Sequence, residues 1–234
     1  MGQDPLLGRP FAVYDVARDA TGEPIAVDIV YLVMGRGTAA LAERRPGDRL
    51  PIWGPLGNGF NVPLPGPVLC VAGGIGQTPF LALAKWWAGG ETFGGVSHSR
   101  SSAPFALIYG ARSADLLAGL DDFHAAGVVV EIATDDGSAG HCGFVTDLLE
   151  ARLARGDRPS QIIACGPPPM LSVIARIAAR EGIDGLLSLE NHMACGFGVC
   201  FSCVAPIRQE DGSIDLKRVC VEGPIFRASD VVYA

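Results

Sequence analysis

The chain has 234 residues, 49% of them hydrophobic and 18% charged, with a net charge of -7. This composition excludes a disordered chain, and the acidic balance, with no lysine- or arginine-rich run, excludes a nucleic-acid-binding surface. The longest apolar runs have strand length and the opening "MGQDPLLGRP" lacks the pattern of a secretion signal, so neither a membrane span nor a signal peptide is expected.

Residues 11–64 read as β. "FAVYDV", "AVDIVYLVM" and "RLPIWGPL" are short apolar runs separated by Gly, Pro and Asp, the pattern of a small antiparallel barrel or sandwich. From residue 67 the rhythm changes to buried strand followed by helix. "PVLCVAGG" precedes "QTPFLALAKWW", "APFALIYGA" precedes "SADLLAGLDDFHAAG", and "VVVEIATDDG" precedes "FVTDLLEARLARG". "SQIIACGP" then precedes "PPMLSVIARIAAREG", and "GLLSLE", residues 185–190, closes the series. Strands alternating with helices predict a doubly wound parallel sheet over 67–189. The segment 89–103, "GGETFGGVSHSRSSA", reads as a polar surface insertion.

From 190 to 234 neither period persists, and four of the seven cysteines lie there. Clustered cysteines in a chain without secretion signals point to metal or redox chemistry in the cytoplasm. Cys195, Cys200 and Cys203 follow a C-x4-C-x2-C spacing, and Cys220 comes sixteen residues later. This is the plant-type [2Fe–2S] spacing. Gly196 and Gly198 let the backbone wrap a compact anion and bring N–H groups to its sulfurs. A four-cysteine zinc site is the competing reading, although zinc knuckles usually use two C-x2-C pairs. Phe197, Val199 and Phe201 would form a dry rim around the thiolates.

Two further turns carry chemistry. Gly73, Gly74 and Gly76 in "CVAGGIGQTPF" lie between a strand and a helix, where backbone N–H groups can meet a diphosphate. A plain tight turn is the alternative. "ACGPPPM" places Cys165 and Gly166 at a second strand end, the edge where open α/β sheets bind ligands. Glu190 stands at the end of the last strand, and His192 lies beside the cysteine loop.

Taken together, "LLGRPFAVYDV", "GRGT", "GPLGNGF", "GGIGQTP", "CGPPPM" and "SLENHMACGFGVCFSC" resemble the ferredoxin-NADP reductase superfamily. Within it they resemble the family of electron-transfer subunits of two-subunit, NAD-dependent dihydroorotate dehydrogenases. The resemblance spans residues 4 to 225. It implies an FAD-binding β-barrel over 1–66, an NAD-binding domain over 67–189 and a [2Fe–2S] module over 190–234. FAD would be met by Arg9, Pro10, Phe11, Ala12, Val30, Tyr31, Leu32, Gly37 and Thr38. The nucleotide would meet Gly73, Gly74, Gly76, Cys165 and Gly166, and the cluster ligands would be Cys195, Cys200, Cys203 and Cys220. No residue of this chain would carry out substrate chemistry itself. The implied partner is an FMN-bearing catalytic subunit, in a heterotetramer.

The chain departs from the family's pattern in places. Ala12 stands where Ser is usual, which removes a hydroxyl donor to the flavin. Leu32 stands where Arg is frequent. About thirty or more family residues, including barrel strands, normally precede "DPLL", so either the start codon is misassigned or the barrel is incomplete. Arg112 stands where a 2′-phosphate or a pyrophosphate would be met, which leaves NAD and NADP both open. Two other functions fit the same motifs: a sulfide dehydrogenase or ferredoxin-linked transhydrogenase subunit, and a redox-sensing subunit without FAD.

Overall fold

The computed structural model describes residues 7–60, 65–89, 91–92 and 101–233. Most of the polar insertion at 89–103 lies outside the described residues.

The nucleotide-type sheet forms as the strand–helix alternation dictates. Its parallel strands are β3 (Val68–Gly73), β4 (Phe105–Ala111), β5 (Val129–Thr134), β7 (Gln161–Cys165) and β8 (Asp184–Ser188). The helices between them are α2 (Phe80–Trp87), α3 (Leu120–Ala125), α4 (Val145–Ala154) and α5 (Pro168–Glu181). A short β6 (His141–Cys142) and a late β11 (Ile225–Arg227) complete seven strands in the order β11-β8-β7-β3-β4-β5-β6. All neighbours are parallel except β11, which runs antiparallel to β8.

Because successive side chains of a strand point to opposite faces, the buried strands feed two cores. Leu69 and Val71 of β3 join Ile108, Ile162, Ala164 and Leu187 against α4 and α5. Val68, Cys70 and Ala72 join Leu107, Tyr109 and Ile163 against α2 and α3. The rest of the chain divides between these faces. Tyr14 and Phe60 pack on the α2 side, whereas Cys203, Ala205, Val219, Cys220 and Phe226 pack on the α5 side.

In the N-terminal segment, β1 (Asp15–Arg18) and β2 (Pro24–Asp28) form an antiparallel hairpin, followed by α1 (Arg36–Ala42). The run "RLPIWGPL" forms no strand, and no barrel closes among the described residues. Many of its apolar side chains are exposed, Met34 and Ile52 the most. Polar ties dock it on α2 and α3: Lys85 Nζ lies 2.5 Å from Asp15 Oδ2, and Tyr14 donates its hydroxyl to Asp122 at 2.6 Å.

After residue 190 the chain has more structure than its sequence rhythm suggests. β9 (Val204–Arg208) and β10 (Ile214–Arg218) form a second antiparallel hairpin. The "DG" pair at 211–212, with Gly212 at φ +84°, supplies its turn. Among the described residues no helix is long and apolar enough to cross a membrane.

Candidate functional site

The strand order reverses at β3. From there the chain runs outward through β4 and β5, then returns to lay β7 on the other side. The crevice outside the carboxyl ends of β3 and β7 is the place where such sheets bind ligands. The two glycine motifs meet there. A Cβ added at Gly76 would stand 2.3 Å from the Cys165 carbonyl oxygen, and one at Gly73 would stand 2.7 Å from Met170 Sδ. Both glycines therefore serve close packing of the turn against the end of β7. Gly74 is different, with φ +56° and open space where a Cβ would stand. Beside it, Gln77 is fully buried with no protein partner on either amide atom. Burying an amide without a partner is costly, and a ligand or water at the turn would satisfy it.

Cys165 faces this edge in register with Ser188. Burial, with a smaller push from the Glu190 carboxylate, raises its thiol to about 12, so it is an uncharged group near the crevice and not a nucleophile. Partial desolvation raises Glu190.

The flavin-type residues converge on one surface. The Phe11 and Tyr31 rings stand 5.6 Å apart, tilted by 59°. A Cβ at Gly37 would lie 3.3 Å from Arg9 Nε, so the guanidinium stem rests on the "GRGT" turn. Thr38 Oγ1 accepts the N–H groups of Met34 and Gly35 at 2.9 and 3.2 Å. Its hydroxyl thus shapes the turn, while Pro10, Phe11 and Leu32 are exposed and Ala12 and Val30 half-buried beside it. A guanidinium, two rings and free surface are a donor set that can take a flavin dinucleotide.

The cysteine loop has tight backbone geometry. Gly196 and Gly198 take φ +79° and +88°, and a Cβ at Gly198 would strike Val221 at 2.6 Å. Phe201, at φ 54°, is the one non-glycine residue with positive φ among the described residues. Such strain persists only where surrounding structure enforces it. Arg218 is the enforcing group. Its guanidinium donates to Gly198 O at 3.0 Å, lies 5.0 Å from the Phe201 ring centre, and forks onto Glu222 at 2.5 to 3.1 Å.

Among the described residues no three metal-ligating side chains gather round one point. Cys195 and Cys200 lie close enough to perturb each other's ionisation, as do Cys203 and Cys220, and Cys195 also acts on Cys220. A single tetrahedral zinc ion needs one focus of four sulfurs, whereas a two-iron cluster takes two thiolates on each iron. The first pair is electrostatically primed. N–H groups of Cys200, Phe197 and Val199 lower Cys195. The Ser202 hydroxyl and N–H, with the Cys195 N–H, bring Cys200 to about 6. Ser202 Oγ lies 3.1 Å from Cys200 Sγ and accepts the Ala194 N–H at 3.1 Å. The second pair is buried, and burial beside Cys203 raises Cys220 to about 11. Around the thiols Phe197, Val199 and Phe201 are 56%, 70% and 60% exposed. His192 contributes its backbone carbonyl, 3.3 Å from Ser202 Oγ.

Ser202, Arg218 and Glu222 are the site residues that motif reading missed. Position is their only sequence signal: one lies inside C-x2-C and two flank Cys220.

Comparison with solved structures defines the class. The chain superimposes on the NADH-dependent reduced ferredoxin-NADP oxidoreductase with a TM-score of 0.73 and 28% identity, over 96% of this chain and 80% of that one. It shares the fold of the CS-b5R domains of human Ncb5or at TM-score 0.52 and 14% identity, over 75% of this chain and 53% of that one. It is thus a reductase-type α/β protein of the ferredoxin-NADP reductase superfamily with a cysteine loop appended.

The appended loop narrows the class. The sequence model of the iron-sulfur cluster binding domain of dihydroorotate dehydrogenase B matches residues 190–232. The dihydroorotate dehydrogenase B (NAD(+)) electron transfer subunit of Desulforamulus reducens is 35% identical over 231 residues, 98% of this chain and 82% of that protein. The subunit of the same name from Geobacillus thermodenitrificans is 39% identical over 232 residues, 98% of this chain and 81% of that protein. The chain belongs to the family of dihydroorotate dehydrogenase B electron transfer subunits.

Proposed function

We propose that the chain carries electrons between a dihydroorotate-oxidising subunit and NAD, using a [2Fe–2S] cluster and FAD. The observation that carries the reading is the match of residues 190–232, with Cys195, Cys200, Cys203 and Cys220, to the iron-sulfur cluster binding domain of dihydroorotate dehydrogenase B. Cys195 and Cys200 would hold one iron, and Cys203 and Cys220 the other. When bound, the cluster would relay single electrons and FAD would pair them for hydride exchange with the nicotinamide.

The chain's own groups position and insulate these partners. Loop N–H groups and the Ser202 hydroxyl would stabilise charge on the sulfurs. Arg9 and the Phe11–Tyr31 pair would hold the flavin, within a barrel-like unit spanning 1–66. Gly74 would admit the nucleotide diphosphate to the β3–β7 crevice of a unit spanning 67–189. Glu190, Gly166 and Cys165 lie where they would orient a carboxamide. The exposed Phe197, Val199 and Phe201 form an apolar rim suited to docking an FMN-bearing catalytic subunit, in a cytoplasmic heterotetramer.

A second reading is a ferredoxin-linked transhydrogenase subunit, motivated by the likeness to the NADH-dependent reduced ferredoxin-NADP oxidoreductase. Identifying the co-purifying subunit separates the two. The cofactor reading itself is tested on protein purified anaerobically. It predicts flavin released on denaturation and about two irons per chain, lost in Cys200→Ser. Stoichiometric zinc in place of iron contradicts it.

A further inference from the structure

The motif "GPLGNGF" has no ligand role so far, yet it bonds the N-terminal segment to the turn that follows Cys220. Asn58 Nδ2 donates to Glu222 O at 3.1 Å and to Ile225 O at 2.9 Å, and Asn58 Oδ1 accepts the Ile225 N–H at 2.9 Å. Its own N–H donates to Gly223 O at 2.6 Å. The side-chain amide therefore serves Ile225 as a strand neighbour would. On its other side Ile225 pairs with Ser188 of β8, and Leu189 N donates to Pro224 O at 2.9 Å.

The approach is close because Gly57 lacks a side chain. A Cβ there would stand 2.6 Å from Gly223 O, and φ is +71°. Two residues beyond Asn58, Phe60 stacks on Phe80 of α2 with centroids 6.0 Å apart. Upstream, the Trp53 ring covers Gly8 and its Nε1 lies 3.9 Å from where a Gly196 Cβ would stand. One strap, residues 53–60, thus touches the flavin-type segment, the turn after Cys220 and the α2 face, and its Trp53 ring lies beside the cysteine loop at Gly196.

We propose that Asn58 is a positioning residue that clamps the flavin-bearing segment to the turn joining Cys220 to the sheet edge, and so fixes the separation between flavin and cluster. The inference rests on the flavin and cluster reading above. Electron tunnelling falls steeply with distance, so a loosened strap slows electron passage between the two groups without altering either one. Glycines alone do not make this clamp. The amide does, because it offers two donors and one acceptor to three backbone groups in a fixed plane.

The test uses the intact holoprotein reduced anaerobically by NADH, with flavin and cluster followed separately by rapid mixing. Asn58→Ala is expected to keep flavin content, iron content, cluster midpoint potential and the rate of flavin reduction. Electron passage from flavin to cluster slows several-fold, and the Ile225 amide loses its protection from hydrogen exchange. Asn58→Asp keeps the acceptor for the Ile225 N–H and drops both donors, and it serves if the alanine variant does not fold; electron passage should slow in the same way while the Ile225 amide stays protected. A merely destabilising change would depress both rates and the cofactor contents together. A flavin-to-cluster rate equal to wild type in either variant, or an Ile225 amide equally protected in Asn58→Ala, overturns the clamp. Wild-type protein without flavin or iron would defeat the functional reading instead, and the exchange measurement would still decide the clamp.

Discussion

The guanidinium of Arg218 lies over the Phe201 ring, 5.0 Å from its centre, while also holding the carbonyl of Gly198 at 3.0 Å. One side chain thereby fixes two residues whose backbones have positive φ. Arg218→Ala should release the loop and raise the rate at which a chelator strips iron several-fold, read from visible bleaching. Arg218→Lys should fall between, because an ammonium keeps the charge and loses the fork onto Glu222. Identical bleaching in all three proteins would show that the loop is held by its ligands alone.

Ser202 should set the potential of the cluster. Its hydroxyl, 3.1 Å from Cys200 Sγ, stabilises negative charge on that sulfur and therefore favours the reduced cluster. Ser202→Ala is expected to lower the midpoint by roughly 20–60 mV, up to about a tenfold change for a one-electron couple. Ser202→Thr should keep most of the wild-type value. The readout is a redox titration followed by EPR, and an unshifted midpoint in the alanine variant would remove Ser202 from this role.

The glycine turn separates packing from ligand access. Gly76→Val places carbon on the Cys165 carbonyl and should unfold the domain. Gly74→Asn is the informative change, because Asn tolerates φ +56° and its side chain enters open space. NADH affinity should fall about tenfold, a loss of about 1.4 kcal/mol, with little change in melting temperature. Unaltered affinity would place the nucleotide elsewhere.

These contrasts show what the sequence could convey. The strand–helix alternation from 67 to 189 was legible because apolar period and turn residues agree at every step, and β3 to β8 follow it. The cysteines were legible because ligand spacing is a local property. The β9–β10 hairpin was less so: its strands are five residues each, and β9 contains Pro206. β11 was hidden because its pairing with β8 is set by residues nearly forty positions away. The same holds for Asn58, whose partners lie 164 and 167 residues downstream. The roles of Gly73 and Gly76 illustrate a different limit. A glycine marks a close approach, but sequence does not say whether ligand or protein does the approaching.

Buried thiols should make the fold sensitive to alkali. Burial lifts Cys165 from an ordinary value of 9.0 to about 12 and pushes Cys70 well up. The folded state therefore holds these protons more tightly than the unfolded state. Their contribution is intact below about pH 9 and is lost as the pH rises toward 12, with a slope of up to about 1.4 kcal/mol per unit for each thiol. Cys165→Ala should flatten the decline in urea-unfolding free energy between pH 9 and 11. A slope equal to wild type would show that other groups, such as Tyr14, govern it.

The most direct measurement of the central claim is NAD reduction driven by dihydroorotate, with the chain alone and after addition of the FMN-bearing catalytic subunit. The chain alone should reduce dyes with NADH but leave dihydroorotate untouched, since its motifs are all redox motifs. Adding the partner should couple the two reactions, and Phe201→Asp, which charges a side chain 60% exposed on the apolar rim, should weaken coupling far more than dye reduction. Dihydroorotate oxidation by the isolated chain, or coupled turnover indifferent to Phe201→Asp, would contradict the account.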